Sequence, residues 1–314
     1  MDDRERLHYF PPRGGRGRVR KGRRRDILSP MPRVDLPDRF GPSEAPPWIG
    51  TWSSVRDRPD LTLALPQSAH LDAAGIVLLA AGIARRQERG LRTWIASGSS
   101  DGEAIALLHG LDFFRELGVE PESAPPQLRP PQWVALRRLV DLGVARRQAE
   151  ATRELLERFV PTIPASTVRA VEFAFEELAA NGVQHSEAAA TGFGLAMADP
   201  VSRRIQVAFG DAGIGFRESL QSNPELAGRV SDDGQAIRLA LDSRVSRRGT
   251  GNIGMGLHFL STLAERLQGD LWIASGDAVL VRRTDGDGGR TERIDPTAGW
   301  NGAWLCLDAP VPGW

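Results

Sequence analysis

The stretch Arg204-Ile-Gln-Val-Ala-Phe-Gly-Asp-Ala-Gly-Ile-Gly215 decides what kind of fold the C-terminal half can adopt. Its isoleucine, valine and phenylalanine alternate with other residues, which is typical of a β-strand with one buried face. Asp211 stands at the predicted strand end and is followed by Gly213 and Gly215. A buried carboxylate there can accept a hydrogen bond from an amine, and the glycines permit close backbone approach and positive φ. An ordinary Asp-Gly turn is the alternative interpretation.

An amphipathic helix is predicted upstream, over residues 171–185. Glu177 and Asn181 are four residues apart, so they lie one above the other on one helix face. A carboxylate there can orient an attacking water or hydroxyl, and an amide oxygen can ligate Mg²⁺. A surface pair is the alternative. The predicted buried stripe beside this face is formed by Val171, Ala174, Phe175, Leu178 and Gly182.

A glycine-rich loop follows downstream and leads into a predicted helix over residues 258–267. Exposed backbone N–H groups at a helix N-terminus favour anions, so the loop is a candidate phosphate cradle, with a flexible hinge as the alternative. Its candidate binding residues are Arg248, Gly251, Gly254, Gly256 and Leu257.

In their order and spacing the three motifs resemble the GHKL family of ATP-binding domains. That family includes DNA gyrase, the MutL repair proteins, heat-shock chaperones, histidine kinases and anti-sigma-factor kinases. Asn181 and Asp211 are 30 residues apart, and Asp211 and Gly251 are 40 apart. The N box is matched by Glu177 and Asn181, the G1 box by Asp211, Gly213 and Gly215, and the G2 box by Gly251, Gly254 and Gly256.

For residues 135–314 the resemblance implies a two-layer α/β sandwich of the Bergerat type, with helices on one face of a mixed sheet. It also implies the cofactors ATP and Mg²⁺: Asn181 holds the metal, Asp211 reads adenine and Glu177 is the catalytic base. A mobile lid is expected near residues 216–250, in which Arg244, Arg247 and Arg248 either reach phosphate oxygens or stay solvated.

Residues 58–120 alternate strand, helix, strand and helix, which predicts a parallel sheet covered by helices. Strands are expected at 61–65 and 91–96, and helices at 71–89 and from Asp101 to Leu117. The turn Leu71-Asp72-Ala73-Ala74-Gly75-Ile76 resembles the STAS domain of anti-anti-sigma factors, where a serine accepts phosphate. Ala74 occupies that place and has no hydroxyl, so the phospho-switch cannot operate there; a generic βαβα unit is the alternative.

Two segments are predicted to lie outside packed domains. Residues 1–57 form a basic, proline-rich disordered tail, with eight basic and no acidic residues between Arg13 and Arg25. This arm either contacts a polyanion or is simply solvated, and a true start at Met31 is a third interpretation. Residues 121–134 are proline-rich and predict a stiff linker.

The composition indicates a protein with a packed core and without an intramolecular disulfide. The formal net charge is zero, and 41% of the residues are hydrophobic, which supports a packed core. The one cysteine, Cys306, allows no intramolecular disulfide. No apolar run is long enough for a bilayer and no signal-peptide core is present, so we expect a soluble, bacterial-type cytoplasmic protein without a membrane partner.

Several functions stay open at this point. The first is a Mg·ATP-driven regulatory switch coupled to the STAS-like module; the second is an anti-sigma-type serine/threonine kinase; the third is a non-catalytic ATP-binding interaction protein. A conventional sensor kinase is disfavoured, because none of the five histidines has the context of a phosphoacceptor. The sequence does not identify the protein partner, and it leaves a homodimer open.

Overall fold

The described residues form two five-stranded sheets and a short two-stranded sheet (Arg39–Phe40 with His70–Leu71), with helices between and around them. The computed structural model describes residues 4–13, 18–23, 32–66, 69–97, 102–119, 133–159, 164–165, 169, 175, 192–199, 202–242, 256–284 and 289–310. The strands are β1 Arg4–Phe10, β2 Arg18–Arg23, β3 Arg33–Asp35, β4 Arg39–Phe40, β5 Asp60–Leu65, β6 His70–Leu71, β7 Arg92–Ser97, β8 Trp133–Arg138, β9 Phe193–Asp199, β10 Arg204–Gly210, β11 Asp270–Thr284 and β12 Arg290–Pro310. The helices are α1 Ala45–Val55, α2 Ala73–Glu88, α3 Glu103–Gly110, α4 Phe113–Glu116, α5 Leu142–Phe159, α6 Gly215–Gln221, α7 Pro224–Ala227, α8 Asp233–Leu241 and α9 Gly256–Arg266.

The N-terminal sheet has the strand order β2-β1-β7-β5-β3. Strands β3, β5 and β7 run parallel, which confirms the parallel arrangement predicted for residues 61–65 and 91–96. Strand β1 runs antiparallel to both β2 and β7. Helix α2, which begins at Ala73, confirms the helix predicted over 71–89, and its long apolar run is buried on nearly every side.

The prediction of a disordered tail over residues 1–57 is wrong for the part of that segment that the structure describes. Strand β1 pairs with β7, which is about ninety residues away along the chain, and buries Leu7 and Phe10. Helix α1 buries Trp48, Ile49 and Trp52. Composition suggested too little apolar area to offset the ordering entropy. The apolar partners come from distant parts of the chain, which a local count of residues does not include.

The helix predicted from Asp101 to Leu117 is broken into α3 and α4. Asp112 lies between them in the left-handed region, with φ +63°, so the helical path ends and restarts there. The residue that caps α3 is Gly102, and the predicted cap, Asp101, lies outside the described residues. Helical spacing of apolar residues continues across the break, so periodicity alone did not reveal it.

The C-terminal sheet has the order β11-β12-β10-β9-β8, and all four of its described strand pairs are antiparallel. The expectation of a mixed sheet is therefore wrong for these strands, because each successive strand reverses direction. The first strand begins at Trp133, so the linker predicted over 121–134 overlaps the sheet at its C-terminal end. The outer edge of β8 is capped, since Leu136 N–H donates to the Leu111 carbonyl at 3.0 Å.

Both faces of the C-terminal sheet are covered. One face packs against α5, α8 and α9, for example through Val207 of β10 and Leu260 of α9. The other face packs against α2, whose opposite side meets the N-terminal sheet, so one continuous core joins both sheets. The two predicted modules are therefore not separate bodies on a linker. Within the described residues, no helix is both long and apolar enough to cross a bilayer.

Candidate functional site

Asp211 lies where the central strand β10 ends, beside strand β12. The ladder between these strands continues one residue past β10, because Asp211 N–H donates to the Ala303 carbonyl at 2.8 Å. Strand β12 carries two extra residues here: Trp300 stands opposite Gly276, and Ala303 opposite Ser275. Such bulges re-aim the backbone and are common beside functional sites. This bulge directs Gly302 and Ala303 at the carboxyl group of Asp211.

The carboxylate of Asp211 is held on one side. Its Oδ1 accepts hydrogen bonds from the N–H groups of Gly213 at 2.8 Å and Ala303 at 3.4 Å. Among the described residues, none donates to Oδ2. Burial raises the pKa of Asp211 to about 6, although the two backbone donors act to lower it. With a pKa of about 6, the carboxylate is ionised at neutral pH. Its Oδ1 is held by two backbone N–H groups, and no described residue donates to its Oδ2.

Gly302 is required for this arrangement. Its φ is +104°, and a Cβ there would lie 2.4 Å from the Asp211 carbonyl oxygen and 2.6 Å from Oδ1. No side chain fits against those backbone and carboxylate oxygens. Gly302 is not among the site residues predicted from the sequence. A glycine within a long apolar strand is a signal of close backbone approach that was present in the sequence.

Ser275 of β11 joins the glycine loop to both neighbouring strands. Its hydroxyl donates to the Gly302 carbonyl at 2.8 Å and accepts from Phe216 N–H at 3.0 Å. Gly215 has φ +76°, and a Cβ there would lie 2.7 Å from the Ser275 hydroxyl oxygen. The loop after Asp211 is thereby fixed to β11 and β12. Ser275 is fully buried and was also missed, because only the fold brings it to Gly215.

The N-terminal half of the chain reaches the same site. The Trp300 indole N–H donates to the Asp211 carbonyl at 2.9 Å. Arg56, which follows α1, donates to the Gly299 carbonyl at 2.9 Å and to Asn301 Oδ1 at 3.0 Å. Arg56 of the N-terminal half thus holds the bulge that lies beside Asp211.

The segment predicted as a lid contains α6, α7 and α8 in its described part, residues 216–242. Asp233, at the start of α8, accepts a hydrogen bond from Asp277 N–H at 3.0 Å. Its carboxylate fills the space where a Cβ on Gly276 would stand, 2.3 Å away, and Gly276 has φ +55°. Helix α8 is therefore anchored on the bend of β11 next to Ser275.

Asp211, Gly213 and Gly215 lie together on the turn that follows β10. Gly256 and Leu257 open α9, and Leu257 is buried against the sheet face that also packs α5. Phe175, from the predicted N-box helix, is fully buried and its ring lies 4.1 Å from that of Phe209 in β10. The remaining predicted residues lie outside the described ones: Glu177, Asn181, Arg244, Arg247, Arg248, Gly251 and Gly254.

The turn over residues 71–76, where the sequence resembles a STAS domain, is buried at Ala74. Ala74 is fully buried, and its carbonyl accepts a hydrogen bond from the Trp304 indole at 3.0 Å. Ala73 N–H donates to Gln206 Oε1 at 3.0 Å. Burial raises the pKa of Asp72, although His70 Nε2, 3.0 Å from Oδ1, acts to lower it. This turn is a junction between the modules and lies against the back of the C-terminal sheet.

Within the described residues, no group of three or more histidine, cysteine, aspartate or glutamate side chains is arranged to hold a metal ion. The predicted magnesium ligand, Asn181, is not among those residues. No protein-family model matches the sequence, and neither does any curated protein.

Proposed function

We propose that this protein is a Mg·ATP-binding regulatory protein whose C-terminal half is a GHKL-type domain of the Bergerat fold. The observation that carries this proposal is the Asp211 carboxylate. It lies half-buried at the end of the central strand, its Oδ1 accepts from the N–H groups of Gly213 and Ala303, and none of the described residues donates to its Oδ2. A site of this kind selects a flat ring that carries an amine.

Asp211 suits adenine better than guanine. An ionised carboxylate is an acceptor only, so its Oδ2 would pair with the exocyclic amine of adenine. Guanine has a carbonyl oxygen at the corresponding ring position, and two acceptors facing each other in a buried site are costly. The absence of a side chain at Gly302 lets the carbonyl and carboxylate of Asp211 lie directly against the backbone of β12. We therefore expect ATP to be preferred over GTP.

The order of elements around Asp211 supports the same proposal. The glycine-rich loop leads into α9, and α9 is followed by the antiparallel hairpin β11–β12 of the same sheet. Phe175 packs on Phe209, two residues before Asp211, which favours a position of the N-box helix beside β10. The four described strand pairs of this sheet are all antiparallel, whereas the resemblance implied a mixed sheet.

Two roles in the proposal rest on sequence spacing. Asn181 would hold the magnesium ion through its amide oxygen, and Glu177 would orient or deprotonate the attacking hydroxyl or water. Magnesium bound to ATP would neutralise phosphate charge and make the γ-phosphoryl group more open to attack. The main-chain N–H groups of the Gly251–Gly256 loop would bind phosphate oxygens.

A regulatory role is favoured because the N-terminal module contacts the adenine site from behind. Arg56, which follows α1, donates to Gly299 and Asn301 of the bulge that holds Asp211, so we expect a change at α1 to affect the position of this carboxylate. Kinase activity on the protein's own STAS-like turn is disfavoured, because Ala74 is buried and has no hydroxyl. Phosphorylation of another protein remains the second candidate function.

Calorimetry and γ-labelled ATP test the proposal on the full chain. We expect Mg·ATP to bind, GTP to bind more weakly, and Asp211→Asn to weaken ATP binding. Release of labelled phosphate indicates an ATPase, label on an added protein indicates a kinase, and binding without either indicates an interaction module. If the folded chain binds no ATP in the presence of Mg²⁺, the proposed function is wrong.

A further inference from the structure

A groove runs along helix α5, between this helix and the edge strand β8. Its volume is about 680 Å³, which is far larger than the voids within a packed core. Along α5 the groove extends from residue 144 to residue 158, which is about 21 Å of helix. The groove is therefore a place where a segment of another chain can bind. Its lining residues on the helix include Val144, Arg147, Ala151, Glu154, Leu155 and Arg158.

Two opposite charges on α5 line this groove and are not paired. Arg147 and Glu154 are both exposed and are seven residues apart, so they lie on one helix face, two turns from each other. At about 10 Å along the axis they are too far apart to pair within one helix. Neither forms an ion pair or a hydrogen bond with another described residue, whereas Arg153 on the same helix pairs with Glu157 at 3.1 Å. The groove thus presents one positive and one negative group at a fixed spacing.

A second copy of α5 matches these two charges in one orientation. When the copies lie antiparallel across a twofold axis, Arg147 of each copy faces Glu154 of the other, and two identical ion pairs form. The axis then passes midway between the two residues, next to Ala151, whose small side chain lets the helices approach closely. A parallel copy would set Arg147 against Arg147. This helix face is therefore complementary to itself only in the antiparallel orientation.

Apolar surface agrees with the same register. Val144 is half-buried and would lie opposite the last turn of the second copy's α5, where the carbon stem of Arg158 can cover it. Val140 and Leu142, at the start of α5, are the exposed large apolar side chains of the described residues, at 48% and 44% exposure. An antiparallel copy would bring its last helical turn, which ends at Phe159, to this end of the helix. The contact would therefore remove apolar surface from water as well as pair the charges.

We propose that this protein forms a symmetric homodimer in which α5 of one copy lies antiparallel in the groove between α5 and β8 of the other. The reciprocal ion pairs between Arg147 and Glu154 set the register. An acidic helix from a different protein would neutralise Arg147 but would set a like charge against Glu154, so a second copy satisfies both groups. The dimer uses neither Asp211 nor the glycine-rich loop, and it does not rest on the binding of ATP.

Analytical ultracentrifugation of the full chain over a range of concentrations tests the proposal. We expect a dimer in equilibrium with the monomer. Arg147→Glu and Glu154→Arg each set two pairs of like charges across the axis, so each should raise the dissociation constant by at least about 10-fold. Arg229→Glu makes the same charge reversal at an exposed arginine outside the groove and should leave the dissociation constant unchanged. Circular dichroism and thermal unfolding show whether each variant is folded.

An equimolar mixture of the two variants tests the register. One variant carries a negative charge at both positions and the other a positive charge at both, so a heterodimer regains two ion pairs. We expect the mixture to sediment as a dimer at a concentration where each variant alone is monomeric. A wild type that stays monomeric at its highest soluble concentration would overturn the proposal and leave the groove to a different protein. A dimer that neither reversal weakens, or a mixture that stays monomeric, would overturn it as well.

Discussion

The indole N–H of Trp304, in the C-terminal sheet, donates a 3.0 Å hydrogen bond to the carbonyl oxygen of Ala74, at the start of α2. This bond holds the turn over residues 71–76 against the C-terminal sheet. A STAS-like domain would carry its phosphoacceptor at this turn. Ala74 is fully buried under the C-terminal sheet, and Ala73 beside it is bonded to Gln206. The turn holds the two modules together and is not accessible to a kinase in the folded protein.

Restoring a hydroxyl at this turn should therefore not restore phosphorylation. We expect Ala74→Ser to take up no label in residues 66–80 after incubation with ATP and a kinase of the anti-sigma type. Burial, and not only the missing hydroxyl, is the reason. Phosphopeptide mapping checks this prediction. A labelled peptide from residues 66–80, in the wild type or in Ala74→Ser, would contradict it. Ala74→Asp should destabilise the fold by several kcal/mol, on the order expected for an unpaired buried charge.

Asp211→Asn should weaken ATP binding about 10- to 100-fold. A hydrogen bond to a charged group contributes roughly 1.5–3 kcal/mol, and an amide is the poorer acceptor. Isothermal calorimetry with Mg·ATP measures the loss. Unchanged ATP affinity in a folded Asp211→Asn protein would remove the adenine assignment.

The binding of ATP should also depend on pH through Asp211. Burial raises the pKa of Asp211 to about 6. If only the ionised form pairs with adenine, affinity should fall by about fourfold between pH 7.5 and 5.5. ATP itself titrates in this range, so the measure is the difference between the wild type and Asp211→Asn. Parallel pH profiles of the two proteins would count against this role.

The raised pKa of Asp211 affects the stability of the fold in the opposite direction: stability falls as the pH rises, whereas ATP affinity rises. The pKa of Asp211 is raised from its ordinary value of 3.8, so the folded state holds the proton more tightly than the unfolded chain. The stabilisation from this proton is complete below pH 3.8 and is lost as the pH rises through about 6. Without nucleotide, urea unfolding over that range should show a fall in stability with pH that Asp211→Asn lacks.

Gly302→Ala should abolish measurable ATP binding. The added Cβ would lie 2.4 Å from the Asp211 carbonyl oxygen, at a φ of +104°. We expect a loss of stability on the order of 1–3 kcal/mol as well. Gly228→Ala is the matched control, because a Cβ there meets no atom within 4 Å and φ is −74°. It should change the stability by less than about 0.5 kcal/mol and leave binding intact.

Glu177 and Asn181 should have separable roles. Asn181→Ala should lose Mg²⁺-dependent nucleotide affinity. Glu177→Ala should bind Mg·ATP near normally, while turnover falls by at least about 10², because a general base acts mainly in the transition state. Glu176→Ala is the control, since that side chain points roughly 100° away around the predicted helix. An inactive Glu176 variant with an active Glu177 variant would mean that the N-box register is wrong by one residue.

Local patterns in the sequence determined the elements whose residues are neighbours along the chain. The alternation over Ile205–Phe209 fixed strand β10 and placed Asp211 at its end. The apolar spacing after Leu71 gave helix α2, and the alternation of elements around it implied that β5 and β7 are parallel. These features follow from the periods of helix and strand, which a short window contains.

Tertiary structure alone decided which distant residues complete these elements. Gly302 and Trp300 contact Asp211 across about ninety residues of chain, and β1 joins β7 over a similar separation. The basic first residues, read locally as a solvated tail, become an edge of the sheet because β7 supplies hydrogen bonds and α4 supplies apolar surface. Burial of this kind depends on the sum of contacts from remote segments, and no local composition or period encodes that sum.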